Sequence, residues 1–238
     1  PMRWVDDWPV IGVNPDENGC GEPVMQYEKP AVGAAYPIDA PEDSDFFEGE
    51  KLGLQWQWNA NYRAEWYSLG GGQLTLYAQD SDPGTQLCDV PNLLIQKWPA
   101  PQFQITACLH LANMKEGDTA GMVSQCGHYT GLLAQKRGDR LILQQRTGNW
   151  TKDDEVRTDA AALPEGTETL YLRMLVRQET EVSFCYSLTE EGEYCPVGEA
   201  VEAAPGRWVG VKAGLAIINE DGISGGSVAA DYFVFEDL

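Results

Sequence analysis

The sequence predicts an all-β protein, a two-sheet antiparallel sandwich, and three observations predict it. Strand-length segments alternate apolar and polar residues, turn signals separate them at short intervals, and no helical crossover intervenes. The composition agrees, with Gly 25, Pro 14 and 10% aromatics, a profile of short strands joined by turns. At 238 residues the chain suits one sandwich with an extension and is long enough to bury a sizeable core.

In chain order, residues 1–40 are rich in Pro and acids ("VNPDENGCGEPV", "PIDAPEDSD") and hold no sustained period. They read as an extended arm or linker, leaving 41–238 as the sandwich. In "GQLTLYA" Leu74, Leu76 and Ala78 alternate with Gln73, Thr75 and Tyr77, the pattern of a half-buried strand. "FQITACLHL" sets Phe103, Ile105, Ala107, Leu109 and Leu111 on one face, with Gln104, Thr106, Cys108 and His110 on the other. Further strands are expected in "AGMVSQC", "YTGLLAQ", "DRLILQQ", "LYLRMLV", "EVSFCYSL", "RWVGVKAGLAII" and "SVAADYFVF", separated by turns such as "KRGD" and "EEGE". "RTGNWTKDDEVRTDAAALPEG" reads as a long loop.

Lys+Arg 16 against Asp+Glu 37 gives a net charge of −21. Such a surface repels phosphate backbones and anionic headgroups, which argues against nucleic acid or membrane as partner and leaves neutral or cationic ligands. The six cysteines form no CxxC pair, and Cys108 and Cys185 lie in apolar runs, so they read as reduced structural residues. The opening "PMRWVDDWPVIG" has neither a basic nor an apolar leader region, and no run approaches the length of a membrane span.

The most informative segment is "KLGLQWQWNANYRAEWYSL". Strand alternation puts Leu54, Trp56 and Trp58 on one face and Gln55, Gln57 and Asn59 on the other. Indoles can stack on the apolar face of a pyranose, and amides can hydrogen-bond its hydroxyls as donor and acceptor. Tryptophans beside a leucine also suit a core, and the amides are then the better ligand contacts. Asn61 and Trp66 follow closely. His110 and His128 are isolated and read as structural. GxSxG, HExxH, GxGxxG and P-loop patterns are absent, which removes the usual signals of hydrolase elbow, zincin, dinucleotide and NTPase sites. "PEDSDFFEGE" offers Asp43, Asp45 and Glu48 on a turn and "VAADYFVFEDL" offers Asp231 near the last strand. First and last strands of a sandwich are often adjacent, so Asp45 and Asp231 are candidate ligands of a structural calcium.

Taken together, "DFFEGEKLGLQWQWNANYRAEWYSL", "PNLLIQKWPAPQFQITACL", "AGMVSQCGHYTGL", "PGRWVGVKAGLAI" and "GGSVAADYFVFED" resemble the C-terminal concanavalin A-like domain of glycoside hydrolase family 43 β-xylosidases. That domain is also classed as carbohydrate-binding module family 91. "MRWVDDWPVIG" is similar to the segment that leads out of the catalytic propeller in such enzymes. The resemblance implies a jelly-roll sandwich with a concave sheet face that meets xylan or xylo-oligosaccharides and a domain that packs on the glycoside hydrolase catalytic domain. It also implies that the catalytic carboxylates belong to the propeller, so no hydrolysis is expected of this chain alone, and with the reduced cysteines it leans toward a bacterial cytoplasm. On that basis Gln55, Gln57, Asn59 and Asn61 are expected to bind hydroxyls, Trp56, Trp58 or Tyr129 to supply stacking, Trp66 to flank the site, and Tyr171 and Arg173 to line the same groove. One departure is that the family often follows "QWQWN" with His-Asn, whereas Ala60 precedes Asn61 here.

Overall fold

The computed structural model describes every residue except 30, 36, 38–40, 153, 223 and 224. It divides into two compact units, Pro1–Ala40 and Pro41–Leu238. The first contains a hairpin where the composition predicts an extended arm: β1 (Met2–Val5) pairs antiparallel with β2 (Trp8–Ile11). Asp6 and Asp7 join them with φ of 50° and 63°. Two successive left-handed residues match the twist of a hairpin, and aspartate tolerates that region.

The second unit is the sandwich. Its strands are β3 (Gln57–Trp58), β4 (Tyr67–Gly70), β5 (Gln73–Tyr77), β6 (Gln79–Asp80), β7 (Leu94–Lys97), β8 (Phe103–His110), β9 (Asp118–Gln125) and β10 (His128–Arg137). They continue with β11 (Arg140–Asn149), β12 (Val156–Ala162), β13 (Thr169–Arg177), β14 (Glu181–Ser187), β15 (Cys195–Glu202), β16 (Lys212–Asn219) and β17 (Ser227–Asp237). An eight-stranded sheet runs β12-β11-β10-β9-β16-β7-β3, with β6 alongside β16, and a seven-stranded sheet runs β15-β14-β13-β8-β17-β5-β4. The pairing of β6 with β16 is parallel; the other sandwich pairings among the described residues are antiparallel.

The alternation read from the sequence sets the layers. Phe103, Ile105, Ala107 and Leu109 of β8 join Leu172 and Met174 of β13 in the buried core between the sheets, because successive strand side chains point to opposite faces. Gln104, Thr106, Cys108 and His110 therefore lie on the outer face of the seven-stranded sheet. A second apolar cluster, including Leu87, Val90, Ile95, Val123, Leu133 and Ile218, covers the outer face of the eight-stranded sheet under the segment before β7. The predicted long loop contains β12. Most of its residues are solvent-accessible, so the edge strand carries no apolar alternation to read.

Candidate functional site

The "LGLQWQWN" segment is not the extended strand its alternation suggests. Leu54 and Gln55 form a turn, only Gln57 and Trp58 pair with β7, and Leu54 is exposed instead of sharing a face with Trp56. Gly53 stands against this turn: a Cβ there would meet Gln55 Oε1 at 2.1 Å. Trp56 is only 8% exposed. Its Nε1 donates to Asp45 Oδ2 at 2.8 Å and its ring meets Phe233 edge-on at 5.1 Å. Trp58 packs between Trp66 at 5.4 Å and Tyr67 at 5.6 Å, and Trp66 is buried. Trp56 and Trp66 are therefore core rings without a free face, and Trp58 is a half-buried ring at the core edge, stacked on the exposed Tyr62 at 6.4 Å.

Gln57 lies opposite Ile95, on the outer face of the eight-stranded sheet. Asn59 follows, and its Nδ2 donates to Cys88 O at 3.0 Å and Val90 O at 2.9 Å, which ties the segment before β7 to the strand. Gln55 is half-buried and Asn61 exposed. Tyr129 is fully buried in the second cluster, so it offers no stacking surface. Its hydroxyl reaches Gln86 Oε1 at 3.2 Å and Glu155 Oε2 at 3.1 Å. Burial and then the Glu155 carboxylate push that phenol far above its usual range.

Beside Tyr129 the same face carries a buried ionic network. Arg146 Nη2 donates to Glu220 Oε2 at 2.7 Å, and Arg157 Nη1 to Glu220 Oε1 and Nε to Glu155 Oε1, both at 2.8 Å. Arg157 Nη2 also donates to Thr85 O at 2.8 Å. Burial opposes the Arg157 charge, but Glu220 and Glu155 outweigh it and raise its pKa. Each group has opposite charge and hydrogen bonds around it, the condition for a stable buried ion pair. The middle of this face is therefore closed.

One end of the face is open. Asn59, Cys88, Asp89, Gln125, Cys126, Trp150, Val209 and Lys212 line a cleft of about 370 Å³. Gln125 and Lys212 are direct neighbours on β9 and β16. Gln125 is 8% exposed, and its Oε1 is buried without a hydrogen-bond partner, while Nε2 makes only a 3.4 Å contact with Cys88 O. A buried amide oxygen in that state is costly unless a ligand or water donates to it. Trp150 is 51% exposed, and Trp208, on the loop that also gives Val209, is 87% exposed. The cleft thus offers an amide acceptor, an amide-bearing strand exit, a cation and accessible indole surface. Trp150, Gln125, Trp208 and Lys212 do not figure in the sequence-based site. The available signal was tryptophan inside turn-rich segments, "RTGNW" and "PGRW", where a core ring is unexpected.

Tyr171 and Arg173 do not line this groove. Both belong to β13, where Tyr171 opposes Cys108 and Arg173 opposes Thr106, on the outer face of the other sheet. Arg173 Nε donates to Thr106 Oγ1 at 3.0 Å, and its guanidinium stacks 3.7 Å over the Tyr194 ring. On that face His110 Nε2 lies 2.9 Å from Asp231 Oδ2, the Cys108 thiol donates to the same oxygen at 3.4 Å, and Gln73 Nε2 donates to Oδ1 at 2.7 Å. Burial raises the Asp231 pKa, but hydrogen bonds from Gln73, His110 and Cys108 outweigh it and hold the carboxyl below its ordinary value. Burial and then Asp231 push the Cys108 thiol up to about 12, so it is no nucleophile as it stands. Asp45 has other partners: Oδ1 accepts from Phe47 N and Oδ2 from Trp56 Nε1, both at 2.8 Å. The structure thus gathers Asp231 with Cys108 and His110, while Asp45 holds the Phe47 amide and the Trp56 indole. His128 has a structural contact, Nδ1 to Glu202 O at 2.8 Å, and all six cysteines are unbridged.

Comparison with known proteins places this geometry. The family described as beta xylosidase C-terminal concanavalin A-like domain matches residues 44–236. The chain is 27% identical to a beta-xylosidase of Formosa agariphila over 99% of its own length and 42% of the relative's. It is 32% identical to a putative beta-xylosidase of Xylanibacter ruminicola, over 90% of the chain and 38% of the relative. It superposes with a TM-score of 0.75 and 22% identity on an engineered family 43 glycoside hydrolase with both endo-xylanase and exo-arabinofuranosidase activity, covering 100% of the chain and 48% of that structure. With the xylan β-1,4-xylosidase of Bacillus halodurans C-125 the TM-score is 0.73 at 19% identity, over 99% and 46%. The chain spans less than half the length of these proteins, and the structural likenesses establish its fold.

Proposed function

The chain belongs to the family of β-xylosidase C-terminal concanavalin A-like domains, an accessory domain and not the catalytic propeller, and on that premise we propose that it binds xylan or xylo-oligosaccharides in the cleft at the end of the eight-stranded sheet. The observation that carries this reading is an open cleft walled by the half-exposed Trp150 and lined by Lys212 and by Gln125, whose amide oxygen has no hydrogen-bond partner. The Trp150 ring takes the apolar face of a pyranose, Lys212 donates to one hydroxyl, and the Gln125 amide, turned outward from its buried position, accepts from another. The ligand is neutral, so the net charge does not oppose it. Calorimetric titration with xylohexaose and cellohexaose, each with and without calcium, tests the reading. Saturable heat with xylohexaose that falls about fivefold or more in affinity in Trp150→Ala supports it, and no heat with either sugar overturns it.

A second reading has its own observation. Met2, Trp4 and Ile11 of the N-terminal hairpin are exposed and share one face of it, Met2 lying opposite Ile11 and Trp4 opposite Pro9, and grouped exposed apolar side chains mark an interaction surface. In this reading the hairpin unit docks on a family 43 catalytic domain and the chain works as part of that assembly. Met2→Ser/Trp4→Ser would then weaken association with the catalytic domain while leaving xylohexaose heat unchanged.

A further inference from the structure

We propose that Cys108, His110 and Asp231 form a binding site for a zinc-class divalent cation on the outer face of the seven-stranded sheet. The proposal is independent of glycan binding in the cleft, which lies on the other sheet.

Thiolate sulfur, imidazole nitrogen and carboxylate oxygen together suit zinc or cobalt, not the all-oxygen shells of calcium and magnesium. The three ligand atoms lie within 4.8 Å of one another. The 3.4 Å separation from sulfur to oxygen falls within the roughly 3.3–3.7 Å edges of a tetrahedron built on metal–ligand bonds of about 2.0–2.3 Å, and the 2.9 Å separation from nitrogen to oxygen needs to open by about 0.4 Å.

The backbone is arranged to make this set. Cys108 and His110 are two apart on β8, so they share a face. Asp231 shares that outer face as the neighbour of the buried Ala230, and a register shift between Ala230 and Tyr232, which oppose Leu109 and Cys108 with one residue to spare, offsets it from Cys108 along the strand. A bulge re-aims a side chain in this way. Without it, alternation from the buried Ala230 would still turn residue 231 outward, but a regular ladder would place it directly opposite Cys108, the position Tyr232 now takes.

The surroundings match the outer shell of a metal site. Thr169 Oγ1 lies 3.3 Å from His110 Nδ1, which leaves Nε2 for the ion, and Gln73 holds Asp231 Oδ1, which leaves Oδ2. Tyr171 lies directly opposite Cys108 across the pairing of β8 with β13. Such contacts fix ligand orientation in metal sites. His110 and Asp231 side chains are 36% and 37% exposed, so a cation has an entry path and a fourth position open to water. Binding releases to solvent the thiol proton that Cys108 donates to Asp231, the His110 ring changes tautomer so that its proton sits on Nδ1 facing Thr169 Oγ1, and the cation takes the place of both protons beside the carboxylate.

Titration of the reduced chain with cobalt(II), followed by optical absorption, tests the site. We expect a thiolate-to-cobalt charge-transfer band and intense tetrahedral ligand-field bands that saturate at one equivalent, are reversed by zinc and are untouched by excess calcium. Cys108→Ser removes the charge-transfer band, and Asp231→Asn weakens binding. Gln73→Ala, which touches no ligand atom of the ion, costs about 10- to 100-fold in affinity, with circular dichroism reporting that each variant is folded. No charge-transfer band in the parent chain, a band that persists in Cys108→Ser, or affinity unchanged in Asp231→Asn overturns the proposal.

Discussion

At the scale of single residues, similar amides have different work. Asn59 spends its Nδ2 on two backbone carbonyls, Cys88 O and Val90 O, whereas Gln125 keeps an oxygen buried without a partner. Asn59→Ala should therefore lower stability by about 1–3 kcal/mol in urea titrations, since buried carbonyls lose donors. Gln125→Leu should leave the urea midpoint unchanged or slightly raised, because an unsatisfied polar atom is removed, while xylohexaose affinity falls. A stability loss in Gln125→Leu as large as that of Asn59→Ala would make Gln125 structural. Charge gives a second prediction. Arg137 Nη1 and Nη2 donate to Asp159 Oδ2 and Oδ1 at 2.6 and 2.7 Å, and these hydrogen bonds hold the Asp159 carboxyl below its usual value. A depressed folded-state pKa contributes stability above the unfolded value of about 4, which is lost as pH falls through the folded value. Both side chains are about half-exposed, so the pair is worth at most ~1 kcal/mol. In Arg137→Ala the Asp159 titration followed by NMR should move up, with little change in Tm at neutral pH.

At the scale of elements, the segment from 81 to 93 is held on the eight-stranded sheet by apolar burial and by the Arg146–Glu220–Arg157–Glu155 network. Glu155 accepts from Leu87 N, and Arg157 donates to Thr85 O. Arg146 is completely buried, so Arg146→Met leaves part of the Glu220 charge uncompensated and should cost about 3 kcal/mol or more by chemical denaturation. A cost under ~1 kcal/mol would mean that Arg157 alone neutralises Glu220. None of this network was legible from the sequence, because its members come from β11, β12, β16 and the approaches to them and meet only through strand pairing. Strands with one apolar face were legible: the alternation in "FQITACLHL" and "GQLTLYA" reproduces β8 and β5 and their inner faces. Strands without one were not. β12 is largely solvent-accessible, and β15 carries Pro196 at the sheet edge and exposed acids, where the tolerance for proline and charge hides the period. "LGLQWQWN" failed in the opposite sense, with perfect alternation over a turn, because Gly53 and the short pairing with β7 override it. The candidate cleft was half legible for the same reason: Asn59, which lines it, was singled out for its amide, whereas Trp150 and Lys212 join it through tertiary contacts that no local pattern records.

At the scale of the whole molecule, the net charge of −21 acts on every equilibrium at once. Sixteen cationic side chains face 37 acidic ones, and four of the arginines are already engaged: Arg146 and Arg157 in the buried network, Arg137 with Asp159, and Arg173 over Tyr194. What remains on the surface is mostly like charge, whose repulsion is larger in the compact state than in the expanded chain. Screening shortens its range from about 30 Å at 0.01 M salt to about 8 Å at 0.15 M. The buried network is sheltered from that screening, so the repulsive part weakens more than the attractive part. Thermal melts in sodium chloride should therefore show Tm rising across this range, and each 1 kcal/mol regained should read as about 2–4 °C. Xylohexaose affinity over the same range should stay constant, because a neutral sugar exchanges hydrogen bonds and apolar contact without moving charge. If Tm falls with salt instead, exposed pairs such as Arg137–Asp159 outweigh the net charge, and the acidity would no longer count against stability. A sugar affinity that falls with salt would place a charge-dependent step in recognition and contradict a cleft that works through Gln125, Trp150 and neutral hydroxyls.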